Sequence, residues 1–221
     1  MLKIITTSDG SHSLLNEDLN ETYHSVHGAI QESVHVFIKS GLAYVFEKKP
    51  TLPISIFEVG FGTGLNALLT LQYVQHNGKA VNYMAIEQSP LEGEIWSRLN
   101  YASLLDLTNE FENLHVSTWD RFHSLTPNFN FLKLKTTLQE VELSKDSIDL
   151  VYYDAFAPSK QPELWTFPVL EKIFHALRSG GVMVTYCAKG QLKRDLSGLG
   201  LVVESLAGPP GKKEMVRATK V

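Results

Sequence analysis

The residues best able to do chemistry lie in Glu58-Val59-Gly60-Phe61-Gly62-Thr63-Gly64-Leu65-Asn66, which follows the apolar run Ile54–Phe57. It reads as a buried strand, a glycine turn and the first residues of a helix. Glycine suits such a turn because a side chain there would block the close approach of a ligand. The spacing selects the ligand class. A dinucleotide fold uses G-x-G-x-x-G to seat a pyrophosphate, whereas this chain has G-x-G-x-G with a carboxylate two residues before the first glycine. That pattern suits S-adenosylmethionine (SAM), which carries a sulfonium, an amino-acid tail and a ribose but no pyrophosphate. Glu58, Gly60, Phe61, Gly62, Thr63, Gly64 and Asn66 are therefore the candidate cofactor loop. From the glycines alone, NAD and a purely structural turn remain as alternatives.

In an open α/β sheet the ligand lies beyond the carboxyl ends of the strands, so what ends each strand matters. The second strand ends at Glu87, where a carboxylate can accept hydrogen bonds from both ribose hydroxyls. The third is followed by Asp120, placed to meet an adenine amino group or else to cap a helix. The fourth ends at Asp154. Carboxylates are rarely buried without partners, so acids after all four strands are hard to explain by packing. Asp154 also opens a second distinctive run, Asp154-Ala155-Phe156-Ala157-Pro158-Ser159-Lys160-Gln161-Pro162-Glu163-Leu164-Trp165. Its small residues and prolines hold an extended loop beside the cofactor's methyl group, where an amine acceptor would sit.

The elements that must position these residues follow from periodicity. Residues 1–28 are polar and turn-prone and predict a small hairpin or extended arm. Apolar residues at helical spacing predict a helix over Ala29–Leu42, with Pro50 and Pro53 before the first core strand. Strand Ile54–Val59, helix Leu65–Gln75, strand Val81–Glu87 and a helix from Pro90 to about Ala102 come next. A short strand is expected at Leu114–Ser117, and an irregular insertion over Thr126–Ser144. Strand Ser147–Tyr153, helix Pro162–Leu177, strand Gly181–Cys187, helix Gly190–Leu199 and strands at Leu201–Ser205 and Glu214–Thr219 complete the chain. This alternation predicts a doubly wound, Rossmann-like α/β fold with a mostly parallel seven-stranded sheet and a small N-terminal appendage. Residues 1–50 would form an arm and helix packed on the core, and residues 51–221 one structural unit.

Composition sets the outer bounds. The 221 residues, 43% of them hydrophobic and 20% charged, suit one substantial domain. No apolar run approaches a membrane span and no leader is evident, so no membrane partner is expected. A single cysteine, Cys187, cannot form an internal disulfide and reads as core, which together favours the cytoplasm. His24, His27 and His35 lack metal-ligand spacing, so no metal is expected. Charge is uneven. From Tyr186 onward, Lys189, Lys193, Arg194, Lys212, Lys213, Arg217 and Lys220 outnumber Asp195, Glu204 and Glu214, on a chain of net charge −4. Such asymmetry marks either a polyanion-binding face or ordinary solvated cations.

Three segments together carry a resemblance. Glu58–Asn66, Asp154–Trp165 and the ending Gly208-Pro209-Pro210-Gly211-Lys212-Lys213-Glu214-Met215 resemble the methyltransferase domain of MnmC-type enzymes. That family's segments read close to G-F-G-T-G-L-N, D-x-F-A-P-x-K-x-P-x-x-W and G-x-G-x-K-x-E-M. Asp18–Ser25, with Tyr23, is similar to its D-x-Y-x-S entry segment. The resemblance implies a class I SAM-dependent methyltransferase that methylates the amine of 5-aminomethyl-2-thiouridine at the wobble position, in the anticodon region of tRNA. Bifunctional members carry a second, FAD-dependent oxidase domain. Here the expectation is methylation alone, without FAD, with any oxidase or upstream wobble-uridine enzymes acting separately.

On that reading Asp154 is the catalytic carboxylate and also lies against the cofactor. An unperturbed Asp, near 3.9, is a poor base for an ammonium near 10.4, so orienting the amine is the first role and taking its proton the second. Lys160, Lys189, Lys193, Arg194, Lys212 and Lys213 are candidate phosphate contacts. Tyr23 or Phe61 could stack on a flipped-out uridine, and Phe156 would face the acceptor. Two alternatives stand beside this one: a small-molecule amine methyl- or aminopropyltransferase of polyamine-synthase type, and a SAM-binding partner subunit without turnover.

Overall fold

The computed structural model describes residues 1–49 and 53–221. The expected boundary between residues 50 and 51, and the punctuation at Pro50, lie outside the described residues. The chain opens with β1 (Leu2–Thr6), β2 (His12–Asn16) and β3 (Glu21–Thr22), a three-stranded antiparallel sheet in place of a hairpin or arm. A continuous helical segment follows as α1 (Ala29–Ser33), a π-helical stretch Val34–Ala43 and α2 (Tyr44–Lys48), longer than the periodicity predicts. It buries Val36, Phe37 and Leu42. Gly41 lets it lie close on the main sheet, since a β-carbon there would come within 2.9 Å of Val184 Cγ2.

The remainder runs β4 (Ile54–Val59), α3 (Leu65–Asn77), β5 (Val81–Ile86), α4 (Gly93–Trp96), α5 (Tyr101–Leu105) and α6 (Thr108–Val116). Then come β6 (Phe122–Thr126), β7 (Phe129–Leu134), β8 (Ile148–Tyr153), a 3-10 turn Pro162–Trp165, α7 (Phe167–Ala176) and β9 (Leu177–Thr185). The chain finishes with α8 (Gly190–Gly198), β10 (Leu201–Ala207) and β11 (Glu214–Lys220). The main sheet has the order β10-β11-β9-β8-β4-β5-β7-β6. The inner pairs β9·β8, β8·β4, β4·β5 and β5·β7 are parallel, while β11 and β10 at one edge and β6 at the other are antiparallel. Every residue of β8 is buried, as a strand covered on both faces requires. Six of the seven expected strands are present as β4, β5 and β8–β11; β7 takes the place of the one expected at Leu114–Ser117, and β6 adds an eighth on the edge.

Three local expectations fail, each for a physical reason. Leu114–Ser117 is not a strand, because Phe111 and Leu114 bury one face of α6 at helical spacing. Lys133 Nζ then closes that helix, donating to Leu114 O at 2.9 Å and His115 O at 2.6 Å. The supposed insertion Thr126–Ser144 contains β7, the third parallel strand, with Phe129, Phe131 and Lys133 alternating inward. A lysine at a core position hides that alternation. The expected helix from Pro90 breaks into α4 and α5, where Asn100 Oδ1 accepts the His12 N–H at 2.7 Å and its amide donates to Gly10 O at 2.9 Å.

Candidate active site

Strand order reverses at β4, with β5 and β7 on one side and β8 and β9 on the other. A cavity of about 700 Å³ opens there, at the carboxyl ends of the strands, within the size range of small-molecule sites. Its walls include Gly60, Phe61, Gly62, Thr63 and Asn66 from the β4–α3 turn. Glu87 follows β5, and Asp154 and Phe156 follow β8. The N-terminal sheet and its following loop close the top with Tyr23, His24 and Ser25.

The glycine turn is built to be approached. The N–H groups of Gly60 and Phe61 both donate to Ile86 O, at 3.1 and 2.9 Å, strapping the turn to the end of β5. Gly60 and Gly62 have φ of 89° and 49°, the left-handed region that favours glycine. A β-carbon on Gly60 would meet Asp154 O at 3.2 Å, and one on Gly62 the Tyr23 ring at 3.3 Å. Phe61 packs beneath the turn against His115, Trp119 and Phe131. His115 Nε2 lies 3.1 Å from Thr63 O, and burial holds that imidazole down at about 3, so the neutral ring donates.

Both Glu87 oxygens accept backbone N–H groups, one of them from the glycine turn. Oε2 accepts the Gly62 N–H at 3.0 Å and Oε1 the Ser89 N–H at 2.8 Å. A carboxylate has about four acceptor positions, so two remain for a vicinal diol. A turn open to backbone approach beside a half-used carboxylate fits the ribose and amino-acid parts of SAM. The residues that would hold it are Gly60, Gly62, Thr63 and Glu87.

Asp154 faces the same space from the other side. Its Oδ2 accepts the Asn66 amide N–H at 2.8 Å. Burial, seconded by the charge of Glu32, pushes its carboxyl up to about 7, against the opposing effects of Asn66 and Lys212. The loop behind it is pinned. Trp165 Nε1 donates to Phe156 O at 2.8 Å, Tyr186 OH to Ala155 O at 2.9 Å, and Tyr153 OH to Leu164 O. Phe156 meets Tyr23 edge to face at 5.0 Å, and Lys160 Nζ donates to Leu19 O at 2.8 Å. The N-terminal sheet is thereby fastened to the Asp154 loop. Burial and the nearby Glu87 push the Tyr23 hydroxyl up to about 12.

Several candidate residues fall elsewhere. Glu58 is 0% exposed behind the turn, with neither oxygen hydrogen-bonded, so it forms no part of the cavity wall. Burial, then the charge of Asp154, pushes its carboxyl well up and favours the uncharged form. Gly64 is also outside the wall, its positive φ of 74° serving the start of α3. Asp120 lies beside the carboxyl end of β7, its N–H donating to Lys133 O at 2.8 Å and its Oδ1 accepting the Lys135 N–H at 3.1 Å, but it is not part of the cavity wall. The third parallel strand instead delivers Thr136, Thr137 and Leu138 to the cavity. Phe61 stays in the cavity wall, but its ring packs beneath the turn and at 4% exposure offers no face for stacking on a base.

The basic face is smaller than the sequence count. Lys193 pairs with Glu214, Arg217 with Glu204, Lys220 with Asp146 and Lys212 with Glu32. Lys189, Arg194 and Lys213 are exposed and make no ion pair among the described residues. Of the lysines named as substrate contacts, Lys160, Lys189 and Lys213 lie outside the cavity wall and Lys212 within it. Glu32 and Tyr186, which also line it, carry no sequence signal, because neither lies in a recognisable motif.

Against known proteins, residues 107–221, more than half of the chain, match a family described as S-adenosyl-L-methionine-dependent methyltransferase. The tRNA 5-methylaminomethyl-2-thiouridine biosynthesis bifunctional protein MnmC of Leptospira interrogans is 27% identical over 217 residues, covering 91% of this chain and 33% of that protein. The protein of the same name from Cupriavidus metallidurans is 28% identical over 211 residues, covering 90% and 31%. The chain thus spans about a third of the length of these curated relatives. The crystal structure of MnmC2 from Aquifex aeolicus superposes with a TM-score of 0.79 at 27% identity, covering 99% of this chain and 70% of that one. Spermidine synthase from Thermotoga maritima, at TM-score 0.56 and 15% identity over 98% of this chain and 72% of that one, shares the fold.

Proposed function

We propose a function from one premise: the chain belongs to the S-adenosyl-L-methionine-dependent methyltransferase family that matches residues 107–221. On our reading it N-methylates 5-aminomethyl-(2-thio)uridine at the tRNA wobble position, giving the 5-methylaminomethyl form. The observation that carries the reading is the meeting of Asp154 with the glycine turn in one cavity, where Gly60 lies against the Asp154 backbone. The names of the MnmC relatives support the choice of acceptor.

Bound SAM would supply an electrophilic methyl group, and the residues of this chain do the rest. Gly60, Gly62 and Glu87 set the position of the donor. The Asp154 loop sets that of the amine, so that nitrogen, methyl carbon and sulfur fall in line, an alignment able to supply much of the rate. An aminomethyl group enters mainly as the ammonium and must lose a proton before it can attack. Against a carboxyl near 3.9 that transfer costs about 9 kcal/mol, and against one near 7 about 5 kcal/mol. With Asp154 pushed up to about 7, we therefore assign it proton acceptance as well as orientation of the amine. The amine's electron pair would form the new N–C bond, and the electrons of the broken C–S bond would stay with the leaving sulfur. Asn66 holds the carboxylate in place throughout. Exposed Lys189, Arg194 and Lys213 would touch the phosphates of the tRNA.

A second reading, transfer to a small polyamine, gains one observation. It requires a further carboxylate near Asp154, and Glu32 lines the same cavity. Glu32 is already neutralised by Lys212, which favours a monoamine over a polycation. The test is transfer of radiolabelled methyl from SAM to aminomethylated tRNA, unmodified tRNA and putrescine. Label in the aminomethylated tRNA alone is the expected result. Label in putrescine alone would select the second reading.

A further inference from the structure

A primary ammonium already occupies the acceptor half of the cavity, and it belongs to the protein. Lys212, in the turn between β10 and β11, ion-pairs with Glu32 of α1, 180 residues away in sequence. Its Nζ stands 4.0 Å from the centre of the Tyr186 ring. A carboxylate and an aromatic face together form a strong recognition pair for an alkylammonium. Glu32, Tyr186 and Lys212 all line the cavity with Asp154.

The receptor is fixed and the cation is the movable part. The Glu32 side chain is only 6% exposed, and its Oε2 accepts the Ser25 N–H at 2.7 Å. Tyr186 is anchored by its hydroxyl on Ala155 O at 2.9 Å. Lys212, by contrast, reaches in on a flexible four-carbon stem and is 32% exposed. A phosphate contact would require Lys212 to abandon Glu32, and an uncompensated buried carboxylate costs several kcal/mol. An incoming ammonium removes that penalty, because it restores the charge balance on Glu32 as Lys212 swings out.

We propose that Glu32 and Tyr186 form a binding subsite for the primary alkylammonium group of the acceptor, and that Lys212 fills this subsite until the acceptor arrives. The subsite rests on the amine-methyltransferase reading and deepens it. The exchange is one ammonium for another, with no change in total charge. It leaves Asp154 to receive the proton and selects an ammonium over a neutral base, which has nothing to offer Glu32.

The test follows the Lys212 side chain directly. In protein carrying 13C-labelled lysine, the methylene next to Nζ is shifted upfield by the Tyr186 ring, and the Lys212→Met variant identifies its signal. Titration with n-butylammonium chloride should move that signal saturably to the position of an exposed lysine. Potassium chloride at equal ionic strength and uridine monophosphate should leave it in place. Calorimetry should find n-butylammonium bound at least tenfold more tightly by Lys212→Met, which lacks the internal competitor, and at least tenfold more weakly by Glu32→Gln. The proposal is overturned if n-butylammonium leaves the signal unmoved, if potassium chloride or the nucleotide moves it equally, or if Lys212→Met binds the amine more weakly. The wild-type titration decides even if Glu32→Gln does not fold. Failure of the tRNA reading looks different: aminomethylated tRNA stays unlabelled while n-butylammonium still displaces Lys212.

Discussion

Asn66, in the first turn of α3, donates its side-chain N–H to Asp154 Oδ2 across 2.8 Å, joining residues 88 positions apart. The bond ties the glycine turn that would hold the donor to the carboxylate that would meet the acceptor. A displacement of one half is felt by the other. Hydrogen bonds to charged groups contribute about 1.5–3 kcal/mol, so Asn66→Ala should lower kcat by roughly one to two orders of magnitude. Because the amide favours ionised Asp154, the acid limb of the pH–rate profile should also move upward. Steady-state kinetics from pH 5.5 to 9 check both. An unchanged kcat would remove Asn66 from the positioning of Asp154.

The rate should climb as Asp154 ionises, with an apparent midpoint near the value of about 7 to which burial and Glu32 raise it. The sign for stability is the reverse. Unfolded, this carboxyl ionises near 3.9; folded, it holds its proton to higher pH, so stability falls as pH rises from about 4 to about 7. Asp154→Asn removes that cost. It should therefore melt higher than wild type at pH 8, by an amount on the order of a few kcal/mol, while losing nearly all methyl transfer. Thermal melts at pH 5 and pH 8 measure the difference, which should shrink toward the acid end.

Glu87→Ala should raise the Kd for SAM at least tenfold. It removes the acceptors left for the ribose and frees the Gly62 and Ser89 N–H groups that now end on this carboxylate. Glu87→Gln, which keeps one carbonyl oxygen, should lose less. Calorimetric titration with SAM separates the two variants, and equal affinity in all three proteins would assign the ribose elsewhere.

Gly62→Ala should abolish SAM binding with little loss of fold. Its φ of 49° disfavours a side chain, and the added carbon would press on the Tyr23 ring at 3.3 Å. The backbone penalty is about 1–2 kcal/mol, within the margin of a stable domain. Abolished binding with circular dichroism unchanged is the expected pair of results.

Charge reversal at Lys189, Arg194 and Lys213 together should raise KM for tRNA and flatten its dependence on salt. Each cation withdrawn from a phosphate lowers the log–log slope by about 0.9, so the slope of the triple variant should fall by about two to three units. SAM affinity should stay as in wild type. Reversal at Arg217 or Lys220, whose charges are taken by Glu204 and Asp146, should leave the slope unchanged. An unaltered slope in the triple variant would move the tRNA face elsewhere.

The parts of the site legible in the sequence are those whose chemistry is local. Gly60 and Gly62 advertise a turn because positive φ is needed within a few residues, and Asp154 stands in a loop whose prolines and tryptophan restrict it by themselves. The segment before Asp120 is not legible in this way, because apolar Leu114 and Val116 suit a strand as well as the helix they form. Lys133, a charged residue in the core of β7, conceals the strand that supplies Thr136 and Thr137. The basic count of the last third overstates a surface charge that Glu204, Glu214, Asp146 and Glu32 largely cancel.

The doubly wound fold, the glycine turn and the Asp154 loop are written locally in the chain, by periodicity or by residue types a few positions apart. Which carboxylates face the cavity, the burial of Glu58 behind it and the reach of Lys212 to Glu32 beside Tyr186 follow only from tertiary packing. Those facts depend on burial and on partners as much as 180 residues distant. Coulomb and desolvation energies act through space, and one-dimensional spacing does not record them.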